Sequence, residues 1–243
     1  MRRTIRQLTL YQFEQYVKTN KYVMPFIALL VVQFGLYMMI PVDVVSSFII
    51  SGVFIFLIMV WIGVTSWELE DQVSEQVIIL RIRSEKIYYV STVVFLGLLS
   101  IYVSILALIF PLIQNVLNNN QVFIRQLQSD DIICAFLLIS AYGFAGGILG
   151  SFFHPRIMRD RKTALTLTLL IAILSVTKLS VKQTLPSAAL VTWVVPPVSE
   201  AVELFQKESY FVLWKVVAGY VMMVGYAGIL AFVKIKLLIR NKF

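Results

Sequence analysis

The stretch that decides the fold reads VVSSFIISGVFIFLIMVWIGVT over residues 44–65 and SWELEDQVSEQVIILRIRSEK over residues 66–86. Its first part is almost entirely apolar and is long enough for a membrane-spanning helix, which needs about 20 such residues. Its second part carries five of the thirteen acidic residues of the chain, namely Glu68, Glu70, Asp71, Glu75 and Glu85. An acidic segment directly after an apolar span has to leave the bilayer, so its role depends on the topology of the whole chain.

The composition of the chain is that of a membrane protein. Of its 243 residues, 59% are hydrophobic and only 14% are charged, whereas soluble domains average about 45–50% and about 25%. We therefore predict an all-α polytopic membrane protein that forms a single transmembrane domain over residues 1–243. The single cysteine, Cys134, excludes an intramolecular disulfide and a cysteine-rich metal site.

Six apolar runs predict six membrane spans, at residues 22–40, 44–65, 87–113, 131–153, 163–181 and 211–233. Sixteen of the 21 Lys and Arg residues fall on one side of this arrangement, in residues 2–21, 81–86, 156–162 and 234–242. By the positive-inside rule, that side and both termini are cytoplasmic. The net charge of +8 is thereby mostly accounted for by topology, with no need for a nucleic-acid partner.

Two segments outside the spans have patterns of their own. Residues 1–21 are basic with interspersed apolar residues, which predicts a helix lying along the inner membrane interface. Residues 182–210 form the longest external connection. Within the fourth span, Gly146 and Gly150 have the small-xxx-small spacing that is typical of closely packed helices.

The acidic segment, residues 66–86, predicts a short amphipathic helix. Leu69, Val73, Val77 and Leu80 are spaced to fall on one face of a helix. A helix that only rests on an anionic inner leaflet should be basic, and this one begins with acidic residues. Docking of a protein is therefore favoured, while a solvated helix lying on the inner leaflet stays the alternative.

The order of these parts resembles the permease subunit of a type-2 ABC exporter. In that family an acidic start, a Leu-rich middle and a small or Pro–Ser turn follow the second span; here they are Glu68 and Glu70, residues 77–80 and residues 81–84. The Gly often found in the acidic part is missing, and Arg83 replaces the usual Pro. The resemblance implies a coupling helix that docks on the ATPase subunit through Trp67, Glu68, Glu70, Asp71, Glu75, Gln76, Leu80, Arg81 and Ser84.

A second match lies in LPSAALVTWVVPPVSEAVELF, residues 185–205. It is similar to the external re-entrant helical pair that precedes the last span in this family. Pro196 and Pro197 would form its turn, and Glu200 would belong to the external gate. Proline pairs break helices, and half-helices at membrane depth are tolerated where protein buries them. An ordinary external loop is the alternative.

The sequence contains no G-x-x-x-x-G-K-[ST] phosphate loop. We expect no cofactor on this chain, with ATP and Mg²⁺ bound by separate ABC ATPase subunits. The resemblance also implies a second permease subunit, identical or paired, and contact with membrane lipid. A membrane metalloenzyme is disfavoured, because the single histidine, His154, cannot complete a His-based zinc site. We predict no catalytic and no metal-binding residues.

The predicted spans are nearly free of charged residues, which suits a hydrophobic or amphipathic cargo better than a small ion. We therefore expect export of a peptide, including antimicrobial peptides, or of a drug-like molecule. The compact length resembles the permeases of bacteriocin and lantibiotic self-protection transporters in the bacterial plasma membrane. A lipid or glycolipid exporter, or a membrane immunity or assembly protein that transports nothing, remains an alternative.

Overall fold

The computed structural model describes residues 2–69, 72–158, 160–184 and 195–240. Within these ranges the chain is helical, with one isolated β-bridge between Val42 and Phe123, which confirms the all-α prediction. The helices are α1 (Arg2–Lys18), α2 (Val23–Leu36), α3 (Val44–Thr65), α4 (Gln72–Ile82), α5 (Glu85–Leu117), α6 (Ser129–Gly150), α7 (Arg161–Thr184), α8 (Val198–Glu203) and α9 (Leu213–Arg240). A 3₁₀ turn, Ser66–Glu68, follows α3.

Five of these helices, α3, α5, α6, α7 and α9, are long and apolar enough to cross a membrane. The predicted span at 44–65 coincides with α3, whereas α9 continues to Arg240, seven residues past the predicted end. The predicted first span is shorter than expected, because α2 has only 14 residues. At 1.5 Å per residue it covers about 21 Å of a hydrocarbon core about 30 Å thick. It reaches spanning length only together with α1, from which it is bent by 78°.

The centre of the bundle is the pair α3 and α6, which run parallel with their backbones in close contact. A Cβ atom placed on Gly146 would lie 2.2 Å from the carbonyl oxygen of Phe56, and one on Gly150 would lie 2.1 Å from that of Val60. Only glycine permits such an approach at these two positions. The predicted small-residue packing of the fourth span is therefore present, and α3 is its partner.

Further helices pack on this central pair, with α2 on α3 and with α5 and α9 on α6. The helix α5 packs on α6 in the antiparallel sense, and α9 packs on it in the parallel sense. Helix α1 packs against the N-terminal half of α5. That contact includes a hydrogen bond from Gln12 Nε2 to Thr92 Oγ1 of 3.1 Å and an edge-on pair of the Phe13 and Phe95 rings with centroids 4.9 Å apart.

The bundle has two ends, which we call the α4 end and the α8 end. At the α8 end, Val42 N donates to Val122 O at 2.8 Å, and this bond joins the loops that follow α2 and α5. At the α4 end, Gln12 of α1 and Lys234 of α9 line the same small cavity. The N-terminal helix and the last turns of α9 therefore lie at the same end of the bundle.

Candidate functional site

The candidate site is the α4 end, where α4 presents two different faces. Glu75 and Ile79 point into the bundle and are 4% and 8% exposed. Val73, Val77 and Leu80 point away from it and are 66%, 58% and 75% exposed. These three belong to the apolar face predicted from the sequence, and they form an apolar strip on the surface. Leu69, the fourth member of that face, is half-buried and packs against the main core.

Glu75 is held by a buried ion pair. Its carboxylate lies 3.3 Å from Arg156 Nη2, and both side chains are buried. The hydroxyl of Tyr89 donates to Glu75 Oε1 at 3.3 Å and accepts a short hydrogen bond from Arg156. Burial raises the pKa of Glu75, and the positive charges of Arg156 and, more weakly, Lys234 act in the opposite direction. The ion pair joins α4 to the loop after α6, and the Tyr89 hydroxyl links both partners to the start of α5.

A lysine near the end of α9 completes this cluster. Lys234 is 3% exposed, and its Nζ donates to Ser151 Oγ at 2.8 Å. Residues Glu75, Tyr89, Ser151, His154, Arg156 and Lys234 are called the buried polar cluster below. Four segments contribute to it, namely α4, α5, residues 151–156 and α9. A charge so deeply buried in an apolar helix is costly and is usually retained for a function.

His154 lies in the same cluster in its neutral form. Burial, and after it the positive charges of Lys234 and Arg156, lowers the pKa of His154 to about 3. Its Nδ1 accepts a hydrogen bond from the backbone N–H of Arg156 at 3.3 Å. A neutral imidazole supplies that acceptor, and a protonated one does not.

Acidification is therefore expected to destabilise the protein through His154. An unfolded histidine titrates near 6.5, so between pH 6.5 and about 3 the unfolded chain binds a proton that the native chain excludes. Stability consequently rises with pH across this window, and the loss at pH 5 is about 2 kcal/mol. The measurement is the melting temperature at pH 7 and pH 5 for the wild type and His154→Asn. A smaller acid-induced drop in the variant is expected, and an equal drop would contradict the assignment.

Beside the cluster lies a cavity of about 40 Å³, and its lining includes Gln12, Trp67 and four cluster residues, Glu75, Tyr89, His154 and Lys234. Among the described residues, Gln12 Oε1 and Trp67 Nε1 have no hydrogen-bond partner although both atoms are buried. One water needs about 10–15 Å³ of such volume. The cavity thus has room for water molecules that would form hydrogen bonds with both atoms.

The other predicted coupling residues lie around α4. Glu68 forms ion pairs with Lys21, at 3.2 Å, and with Arg161, so it holds the α1–α2 turn and the start of α7. Gln76 is half-buried, Arg81 is exposed, and Ser84 precedes α5 in extended conformation. Arg83 has a φ of 57°, in the left-handed region. Glu70 and Asp71 lie outside the described residues.

The predicted external gate residues lie at the α8 end. Pro196 and Pro197 immediately precede α8, and Glu200 within α8 forms an ion pair with the buried Lys178 of α7. Residues 185–194, the first half of the predicted re-entrant pair, lie outside the described residues. The re-entrant arrangement therefore stays a prediction.

Arg125 forms another ion pair at the α8 end, in addition to that of Glu200 and Lys178. Its guanidinium binds both carboxylate oxygens of Asp131, at 2.6 and 2.7 Å. Its Nε donates to Ser209 O at 3.0 Å, and its charge lies 4.3 Å from the centre of the Tyr210 ring. The segment before α9 is thereby attached to the start of α6.

Sequence reasoning missed Arg156, Lys234, Tyr89 and Ser151 as site residues. A signal for Lys234 exists, because it continues the helical stripe of buried α9 residues Val216, Gly219, Met223, Ala227, Ala231 and Leu238. No comparable pattern marks Arg156, which lies in a loop. Comparison with family models, with curated proteins and with solved structures finds no match to this chain.

Proposed function

We propose that this chain is the permease subunit of an ATP-driven exporter in the bacterial plasma membrane, with its α4 end in the cytoplasm. ATP and Mg²⁺ are bound by a separate ABC ATPase, and a second permease subunit completes the pathway. The observation that carries the proposal is that α4 has two different faces. One face is held in the bundle by a buried ion pair, and the other presents three exposed apolar side chains.

This arrangement suits a helix that transmits force from a partner. Val73, Val77 and Leu80 repeat at helical spacing, so they form a continuous strip that a groove on the ATPase can cover. A displacement of α4 reaches α5 and α9 through Glu75, Tyr89, Arg156 and Lys234, because these side chains are in contact or electrostatically coupled. A helix merely lying on a membrane needs no such buried anchor.

The distribution of charge supports the orientation. The α4 end carries the exposed residues Arg2, Arg3, Arg6, Arg81, Arg83, Lys86, Arg161 and Lys162. Basic residues near the ends of spans are retained on the cytoplasmic side. The ATPase, which requires cytoplasmic ATP, is then on the same side as α4.

The interior polarity supports a hydrophobic or amphipathic cargo, such as a peptide, an antimicrobial peptide or a drug-like molecule. In the described parts of the candidate spans, the buried charged side chains are Asp131, Lys178 and Lys234. Each of them has a partner inside this chain, in Arg125, Glu200 and Ser151 respectively. None of the buried charges in these segments is thus without a partner and available to bind a transported ion.

Leu80→Asp is expected to abolish association with the ATPase while leaving the fold intact. The side chain is 75% exposed, so the change costs little in the free protein. In a covered apolar interface it would bury an unpaired carboxylate and lower affinity at least about a hundredfold. The measurement is recovery of an ABC ATPase, and of ATP hydrolysis, with the tagged full-length chain from membranes of the native host.

The matched control is Leu117→Asp, the same change at a residue of equal exposure, 76%, near the far end of α5. It should leave association unchanged. Charge reversal at Glu68, Glu70 and Asp71 should also weaken association, but it additionally breaks the Glu68 ion pairs with Lys21 and Arg161. If Leu80→Asp and Leu117→Asp recover equal amounts of ATPase, α4 is not the docking helix.

A further inference from the structure

A second cavity lies where the chain bends between α1 and α2. Its volume is about 190 Å³, and its walls come from α1, α2, α3 and α5. Apart from the tyrosine hydroxyls the lining side chains are apolar, and they include Tyr16, Tyr22, Phe26, Leu29, Ile62 and Leu106. An apolar cavity of about 150 Å³ stays dry and takes up a benzene-sized molecule. This cavity is therefore suited to an apolar group rather than to water.

One lining residue carries a polar atom that needs a partner. Tyr16 is only 3% exposed, and among the described residues its buried hydroxyl has no hydrogen-bond partner. A buried hydroxyl without a partner costs roughly 1–3 kcal/mol. A ligand with an apolar body and a hydrogen-bond acceptor, such as an ester carbonyl, would remove that cost.

The charges next to the cavity indicate the rest of the ligand. Residues 2–21 contain five basic residues and one acidic residue, Glu14. Lys18, which pairs with Glu14 at 2.7 Å, ends α1, and Lys21, which pairs with Glu68 at 3.2 Å, lies in the turn that leads to Tyr22. Five basic residues and one acidic residue give residues 2–21 a net charge of +4, and a positively charged segment beside an apolar cavity attracts an anionic lipid headgroup. A second copy of this chain would instead bring an equally basic segment against the first.

We propose that this cavity binds an anionic phospholipid from the leaflet at the α4 end. One acyl chain fills the space between Leu29, Ile62 and Leu106, an ester carbonyl accepts a hydrogen bond from the Tyr16 hydroxyl, and the headgroup lies against Lys18 and Lys21. The bound lipid fixes the angle between α1 and α2. This proposal does not depend on the transport function.

The test is native mass spectrometry of the full-length protein in mild detergent, titrated with phosphatidylglycerol or phosphatidylcholine of the same acyl chains. The wild type should bind one phosphatidylglycerol, and phosphatidylcholine at least tenfold more weakly. Leu29→Trp, which fills the cavity, should weaken phosphatidylglycerol binding at least tenfold. Tyr16→Phe removes only the hydroxyl, leaves the ring packing in place, and should weaken binding about threefold to tenfold.

The matched control is Ile229→Trp, at a 69% exposed position of α9 away from the cavity, and it should bind lipid like the wild type. Equal binding of the two lipids would overturn the assignment of an anionic headgroup. Unchanged phosphatidylglycerol binding in both Leu29→Trp and Tyr16→Phe would overturn the site. Loss of a dimer in Leu29→Trp with lipid binding intact would show that a second copy occupies the cavity instead.

Discussion

Arg156→Met should detach α4 from the bundle. The change removes the cation beside Glu75, whose carboxylate is then buried with Tyr89 and the more distant Lys234 as its remaining partners. Breaking one side of a buried pair costs about 3–5 kcal/mol. The measurement is hydrogen exchange of the backbone amides in residues 72–82, together with the melting temperature. Exchange in α4 should rise by at least about a hundredfold, and that in the α3–α6 core should rise far less.

Two controls separate this effect from a general loss of charge. Glu75→Leu combined with Arg156→Met removes both partners and should recover most of the stability, because no unpaired buried charge remains. Lys18→Met removes one partner of an exposed pair, Lys18 and Glu14, and should change stability by less than about 0.5 kcal/mol. If Arg156→Met changed the stability as little as Lys18→Met does, the ion pair would not hold α4 on the bundle.

Gly146→Val should separate the central helices α3 and α6. The new Cβ would lie 2.2 Å from the backbone oxygen of Phe56, and backbone cannot rotate away as a side chain does. The helices must move apart, which costs about 3 kcal/mol or more and affects every helix packed on α6. The measurement is the melting temperature in detergent and the yield of folded protein. Gly150→Ala, with a contact of 2.1 Å to Val60 O, should behave similarly.

Gly225→Ala and Gly228→Ala on α9 are the matched controls. A Cβ at either position meets nothing within 4 Å, so stability should stay the same or increase by up to about 1 kcal/mol. Equal losses for Gly150→Ala and Gly225→Ala would mean that the close contact with Val60 is not the reason why α6 requires glycine.

The helical class and the positions of five of the six spans could be predicted from the sequence, because an uninterrupted apolar run has few other stable structures. The bounds of α3 were predicted to the residue, since Asp43 caps its start by accepting from Ser46 N at 2.9 Å and acidic residues follow its end. The predicted length of the first span was wrong. The apolar run continues through residues 37–40, but these residues are not helical.

The site was less predictable than the spans. Periodicity placed Val73, Val77 and Leu80 on one face of α4, but it did not show that this face points outward. The sequence also grouped Glu75 with the acidic residues that would meet a partner, whereas its side chain lies inside the bundle. Its partner Arg156 is 81 positions away, and contacts over such separations follow from packing rather than from local pattern. The roles of Trp67, Gln76 and Arg81 in docking stay predictions.

The length of α9 has a mechanical consequence. Its 28 residues extend about 42 Å, which exceeds the hydrocarbon thickness of about 30 Å, and the helix contains no proline. Near one end Gly219 lies against Leu204 and Phe205, and near the other Lys234 joins the buried polar cluster. The helix is thus one continuous connection between the two ends of the bundle. A tilt of about 5° would shift one end by roughly 4 Å relative to the other, so a small displacement at the α4 end would reach the α8 end without any bending of the helix.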